Sequence, residues 1–220
     1  MNFLSQLENG IFASKKDLEK FSKNENAKIL VISDSHGAKE TFLSIVQTFG
    51  AKADALIFAG DGIFDLLFVI EKAKNHFSTA SWLPPVIAFV KGNNDPSFCS
   101  ADFSKDIIVP PKITMQAGKR TILVSHGHSE GVYYDYSAVQ ATAQVFGADT
   151  AIFGHTHVPA ELMGTTYIMN PGSISLPRRR SSAGFAMLEI TGKNISSIFY
   201  RIENGQKPEF IPYHPEQFYG

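Results

Sequence analysis

Short aliphatic runs alternate with amphipathic stretches along most of this chain. Ala27-Lys28-Ile29-Leu30-Val31-Ile32 is a nearly unbroken apolar run of strand length, the pattern of a strand covered on both faces. It ends in Ser33-Asp34-Ser35-His36-Gly37, and Phe42, Ile45, Val46 and Phe49 then follow at helical spacing. The unit repeats with Ala55-Leu56-Ile57-Phe58, the turn Ala59-Gly60-Asp61-Gly62 and an apolar helix over 64–77. After a loop over 78–85 that holds Trp82, Val86-Ile87-Ala88-Phe89-Val90 closes in Gly92-Asn93-Asn94-Asp95-Pro96. Three such units in a row predict a mainly parallel sheet with helices on its faces. In such sheets ligands gather at the carboxyl ends of the strands, where all three of these polar turns fall.

The second half changes character. Lys112 to Gln116 and Arg120 to Ser125 flank Ala117-Gly118-Lys119, a hairpin signal, and lead into His126-Gly127-His128. Residues 137–147 place Val139, Ala143 and Phe146 on one helical face. The run Thr150-Ala151-Ile152-Phe153 reads as a buried strand ending in Gly154-His155-Thr156-His157. Hairpins are expected around Gly164-Thr165 and Gly192-Lys193, with the turn Asn170-Pro171-Gly172-Ser173 between them. The pattern predicts two sheets packed face to face with helices outside. Phe3, Leu4, Leu7 and Ile11 fall at helical spacing, and Ser14 to Asp17 resembles a capping box before Leu18 and Phe21. Residues 1–27 are therefore expected as an N-terminal helical extension, 28–202 as the main domain and 203–220 as a C-terminal tail.

Composition narrows the function. At 220 residues the chain suits one sizeable domain, and 44% hydrophobic with 19% charged residues is ordinary for a water-soluble fold. Lys plus Arg number 20 and Asp plus Glu 21, a net charge of −1 that argues against a nucleic-acid partner. The single Cys99 has no partner for an internal disulfide. No run approaches the ~18 apolar residues of a membrane span, and the N-terminus lacks a basic segment before an apolar core. A cytoplasmic protein with no membrane association is expected, and a homo-oligomer is left open.

The chemistry lies in the strand-end residues Asp34, His36, Asp61, Asn93, His126, His155 and His157. All offer nitrogen or oxygen and none a thiol, a donor set for Mn, Fe, Zn or Ni. Two histidines at i and i+2 on an extended segment, as His155 and His157 are expected to be, leave the same face. Seven donors exceed one tetrahedral ion and suit two ions sharing a carboxylate.

Asp34-x-His36, Gly60-Asp61, Gly92-Asn93-x-Asp95, His126-Gly127 and Gly154-His155-x-His157, in this order, resemble the calcineurin-like metallophosphoesterase superfamily. Gly92-Asn93-Asn94-Asp95 and Asn170-Pro171-Gly172-Ser173 are similar to its small bacterial and archaeal phosphodiesterase branch. The resemblance covers about residues 28 to 202. It implies a four-layer α/β/β/α sandwich of two mixed sheets and a dinuclear site, usually manganese-dependent. By matching motif, Asp34, His36 and His157 would hold one ion, Asn93, His126 and His155 the other, and Asp61 both. His128 is expected to orient His126 or the substrate, otherwise to be a solvated loop histidine, and Asp95 to fix a ligand's orientation. The catalytic set so implied is Asp61, Asn93 and His128. Asn94 stands where the broader superfamily often carries a histidine that protonates the leaving oxygen. Arg178-Arg179-Arg180 is read first as a solvated charge run, otherwise as an attractor of anionic substrate. His76 and His214 are given no role.

The implied activity is hydrolysis of a small phosphodiester, with monoesters as a side activity, by a hydroxide bridging two divalent ions. The alternative is a non-catalytic scaffold, as in the retromer subunits similar to this branch. Those depart from the full histidine set, whereas every matched position here keeps a ligating side chain.

Overall fold

A computed structural model describes residues 6–8, 10–74, 82–100, 106–133, 135–203 and 207–215. Strands β1 (Gln6–Glu8) and β2 (Ile11–Ala13) precede helix α1 (Lys15–Ser22) and strand β3 (Asn26–Ile32). Helix α2 (Lys39–Phe49), strand β4 (Ala55–Phe58), helix α3 (Ile63–Lys74) and strand β5 (Val86–Phe89) follow. Next come β6 (Phe98–Ser100), β7 (Asp106–Ile108), β8 (Lys112–Ala117), β9 (Arg120–Ser125), helix α4 (Ser137–Val145) and β10 (Thr150–Ile152). The chain continues through β11 (Ala160–Leu162), β12 (Tyr167–Asn170), β13 (Gly184–Thr191), β14 (Asn194–Glu203) and β15 (Glu209–Tyr213).

An eight-stranded mixed sheet runs β1-β2-β5-β4-β3-β13-β14-β15, with β3, β4 and β5 parallel at its centre. A five-stranded sheet runs β11-β12-β10-β9-β8, with β9, β10 and β12 parallel. Alternation along β3 explains the layering. Leu30 and Ile32 join Phe42, Ile45, Leu66 and Ile70 of α2 and α3. Ile29 and Val31 point the other way, onto Ile122, Val124 and Ile152 of the second sheet. That sheet's far face, with Leu123, Ala151 and Ile168, packs Val139 and Ala143 of α4. The result is the expected α/β/β/α sandwich. Its two inner faces put the carboxyl ends of β3, β4, β9 and β10 at one edge.

Three expectations need correction. The third unit has no helix, since β5 is followed by the antiparallel pair β6–β7. The helical spacing before Ser14 does not make a helix. Leu7 lies in β1 and Ile11 in β2, while Phe3 and Leu4 fall outside the described residues. Gly10, at φ +82, turns the chain there, and Ile11–Ala13 pairs with the free edge of β5, so tertiary pairing overrides local periodicity. Only α1 is helical, capped by the Ser14 hydroxyl on Asp17 N–H as its sequence suggests. The C-terminal segment carries β15, paired along β14. Among the described residues no helix is long and apolar enough to cross a membrane. His76 and residues 78–81 of the Trp82 loop lie outside the described residues, and His214 is exposed after β15.

Candidate metal centre

The site is assembled from strand ends, and after three of them, β3, β4 and β10, the donor residues themselves turn left-handed. Asp34 follows β3 at φ 53, His36 sits at φ 42 and Asp61 follows β4 at φ 61. His155 and His157 follow β10 at φ 69 and φ 59. The His155-x-His157 segment is thus a turn rather than the expected extended stretch, and its two rings go to different sides of the cluster. Non-glycine residues in this region cost roughly 1–3 kcal/mol each and persist where the surroundings over-determine them.

Those surroundings are hydrogen bonds and close packing. Gly154 has no room for a side chain, because a Cβ would overlap the Ser33 hydroxyl and come 2.7 Å from Asp34 Oδ2. The buried Asn170 amide donates to Gly154 O at 2.7 Å and to Thr156 Oγ1 at 3.0 Å. The Ser173 hydroxyl donates to Asp34 O at 2.7 Å. The Asn170 to Ser173 turn is therefore a clasp holding two donor loops together. Asp95 acts as expected. Its carboxylate accepts from the N–H groups of Asp61 (2.7 Å), Gly62, Ile63 and Gly92 (2.9 Å each), which caps α3 and fixes Asp61.

Two carboxylates lie at the centre. Asp34 Oδ1 is 3.2 Å from His157 Nε2 and 3.8 Å from both His36 Nε2 and His126 Nε2. Asp61 Oδ2 is 3.4 Å from His126 Nε2 and 3.7 Å from His36 Nε2. Two groups of donors lie within 4.8 Å of one another: Asp34, His36 and His157, and Asp34, Asp61 and His126. Asp34 is common to both, whereas the sequence motif gives Asp61 the shared place, although Asp61 Oδ2 also faces both sides. His155 stacks edge-on to His126 at 5.1 Å, and its N–H donates to Asp34 Oδ2 at 3.0 Å. His128 is exposed on the rim, 5.5 Å from His126 and 6.0 Å from His155 between ring centroids.

Asn93 is exposed on the turn after β5. The residue tied to the centre from that turn is its neighbour. Asn94 donates to Asp61 from both its backbone N–H (2.8 Å) and its side-chain amide (2.7 Å). Sequence reading did not find this contact, because the pattern marks position 93 as the donor. It also missed Ser33, whose hydroxyl donates to Asp34 Oδ2 at 2.6 Å, and Tyr133, whose ring lies 4.7 Å from His155. Ser33 carries a signal only in being next to Asp34, and Tyr133 carries none.

Tautomers test whether these groups fit a metal. His126 Nδ1 lies 2.7 Å from Ala59 O, and His157 Nδ1 lies 2.6 Å from Leu176 O. A carbonyl only accepts, so both rings carry a proton on Nδ1 and in the neutral form turn an Nε2 lone pair inward. His126 Nε2 is buried with no hydrogen-bond partner. Lone pairs and carboxylates facing each other repel unless a proton or a metal cation lies between them, and the nitrogen–oxygen set is one that fits divalent ions.

Without a metal, a proton meets part of the same demand. Burial alone would raise the Asp61 pKa, but the contacts from His126 and Asn94 outweigh it and hold the carboxyl far below its usual range. His126 is pushed down by burial and more strongly up by Asp61 and Asp34, ending above an ordinary histidine. Burial, then the charge of His126, lowers His155 to about 4. The same two causes lower His128.

A model of the calcineurin-like phosphoesterase superfamily domain matches residues 27–193. A probable metallophosphoesterase of Bacillus subtilis, YsnB, is 33% identical over 173 residues, covering 78% of this chain and 89% of that protein. The phosphodiesterase YfcE of Escherichia coli is 25% identical over 179 residues, covering 74% and 87%. Among solved structures, wild-type Vps29 of Entamoeba histolytica complexed with Zn²⁺ shares the fold at a TM-score of 0.59 and 21% identity, covering 84% of this chain and 98% of that one.

Proposed function

Because the chain belongs to the calcineurin-like phosphoesterase superfamily, we propose that it hydrolyses phosphodiester bonds of small substrates at a two-metal centre. One observation carries this reading: tautomer-fixed Nε2 atoms, one of them buried and unpartnered, face two carboxylates. Asp34, His36 and His157 would hold one ion and Asn93, His126 and His155 the other, with Asp61 shared. Manganese is the first candidate, and iron, zinc and nickel suit the same donors. Two such ions supply an activated water and neutralise the phosphoryl oxygens. Residues 28–202 would be the unit that does this.

The protein's own groups set the rest. The Ala59 and Leu176 carbonyls keep the His126 and His157 protons on Nδ1 and leave Nε2 free to bind. His155, at about 4, is neutral and ready to bind near pH 7. Asn94 spends its amide on Asp61 and has no acidic proton. His128 stands on the rim with its pKa lowered by burial and by the charge of His126, which makes it less ready to hold a proton for a leaving oxygen. General acid help is typically worth ~10²–10⁴ in rate. Esters with acidic leaving groups, such as aryl phosphodiesters, are therefore expected to react fastest.

The test combines metal analysis with a hydrolysis panel: a bis-aryl diester, an aryl monoester, cyclic nucleotides and single-stranded DNA. Two ions per chain, loss of diester turnover on chelation and recovery on adding manganese are expected. Turnover that ignores chelator, or no diester turnover by metal-loaded protein, would overturn the proposal. The second outcome would favour the scaffold reading, for which the Vps29 likeness in fold is the supporting observation.

A further inference from the structure

Arg178, Arg179 and Arg180 are exposed, and the segment that carries them is fastened to the metal centre. Arg178 N–H donates to His157 O at 3.2 Å. Ser181 returns to Arg178 O through its N–H at 3.0 Å and its hydroxyl at 2.6 Å. Between these ties Arg179 and Arg180 both take left-handed backbone, at φ 51 and φ 62, which arginine rarely adopts. The segment is held in shape next to His157 and is more than a loose charge run.

The Arg178 side chain reaches across the site. Its Nη1 donates to the Tyr133 hydroxyl at 2.7 Å, and the Tyr133 ring lies tilted against His155, 4.7 Å between centroids. The guanidinium thus bridges the loop after β12 and the loop after β9, with Tyr133 linking it to His155. Arg179 lies near the second of these loops as well, since its charge opposes the burial that raises the Tyr136 pKa. Among the described residues none of the three arginines has an acidic partner. The acids of the facing loop are engaged elsewhere: Glu130 with Lys112 at 2.7 Å, and Asp135 with the Ser137 N–H and hydroxyl. A phenol occupies one N–H of the Arg178 fork and leaves the others open, in a geometry that matches a phosphate bidentately.

We propose that Arg178, with Arg179 beside it, is a seat for a second phosphate, so that preferred substrates are phosphodiesters carrying a further phosphate on one ester arm. This rests on the phosphodiesterase reading for turnover, but not for binding. One charge-assisted pair of this kind corresponds to a preference of about tenfold or more, which salt should weaken.

Binding and turnover separate the two claims. Calorimetry of the metal-loaded protein would compare thymidine 3′,5′-bisphosphate with thymidine 5′-monophosphate. The bisphosphate should bind at least about tenfold tighter, and the gap should fall to within about twofold in Arg178→Gln/Arg179→Gln. Equal binding by the natural protein, or an unchanged gap in the variant, overturns the seat. Should that variant misfold, Tyr133→Phe removes the hydroxyl that positions Arg178 and should narrow the gap in part, whereas an unaltered gap again counts against the proposal. Kinetics would use thymidine 5′-(p-nitrophenyl phosphate) with and without a 3′-phosphate. Turnover of both at equal kcat/KM refutes the seat. Cleavage of neither, with the binding gap intact, refutes hydrolysis and leaves the seat standing.

Discussion

Left-handed backbone is handled differently at the two ends of the sheets. At the end away from the metal centre it occurs in the β8–β9 and β13–β14 hairpins, at Gly118 (φ 56) and Gly192 (φ 61). Glycine adopts it without steric cost. At the other end glycines such as Gly37 and Gly172 share positive φ with Asp34, His36, Asp61, His155 and His157. Each of these Asp and His residues costs more there than a glycine would, and each supplies a side chain that glycine lacks. The contrast separates turns that only reverse the chain from turns that must also aim a donor, at the expense of stability.

The largest effect should come from removing charge at the aimed end. Asp61→Asn keeps the size of the side chain but takes away the charge facing both histidine groups. Bound metal after dialysis should fall at both sites, and kcat/KM should drop by roughly 10²–10³-fold. At the opposite end Glu25→Gln removes an exposed carboxylate 3.1 Å from Lys119 and should change stability by less than ~1 kcal/mol and activity not at all. Two ions retained by Asp61→Asn with near-normal turnover would dissolve the contrast.

A smaller effect tests the backbone itself. A Cβ on Gly92 would overlap Asp61 Oδ1 and its backbone N, so Gly92→Ala must push Asp61 out of place. A displacement near 1 Å is enough for a loss of about 10²-fold in kcat/KM. Gly192→Ala meets open space and carries only the positive-φ penalty of ~1–2 kcal/mol. Denaturation midpoints and rates together should show Gly92→Ala losing activity and Gly192→Ala losing only stability. A Gly92→Ala protein of natural activity would mean that the Asp61 turn tolerates movement.

Most of the frame was legible in the sequence because burial on both faces leaves unbroken aliphatic runs at β3, β4 and β5. Hairpin glycines likewise marked Gly118 and Gly192. The donors stood out because Asp and His immediately follow such runs. What stayed hidden depends on tertiary partners. Ile11–Ala13 is a strand only because β5 offers it an edge, and β15 only because β14 does. The left-handed turns leave no trace in composition, since Asp and His occupy that region without the glycine signature. The Asn94 contact was invisible because adjacent asparagines are equivalent in a pattern, and only the turn after β5 decides which one meets Asp61.

The smallest effect examines what left-handed histidine costs when no metal is bound. In chelator-treated protein near pH 7, His155→Gly relieves an unfavourable φ, by ~1–2 kcal/mol. It loses ring contacts with Tyr133 and His126 and adds glycine's backbone entropy, ~0.5–1 kcal/mol. The net change should be within about 1 kcal/mol of zero. Acid separates the two proteins. The folded state holds His155 near 4 against an ordinary 6.5, so the unfolded chain takes up its proton first. Stability contributed by neutral His155 is therefore lost as pH falls from about 6.5 towards 4. His126 runs the other way: its raised pKa adds stability below its ordinary value, and that stability is lost as pH rises through the folded one. His155→Gly removes the first contribution and keeps the second. Relative to the natural protein, the variant should gain about 1 kcal/mol between pH 7 and pH 5 in urea denaturation, a value discounted for the partial exposure of His155. Parallel stability curves over that range would mean that the histidine turn carries no electrostatic strain and that its cost lies in the backbone alone.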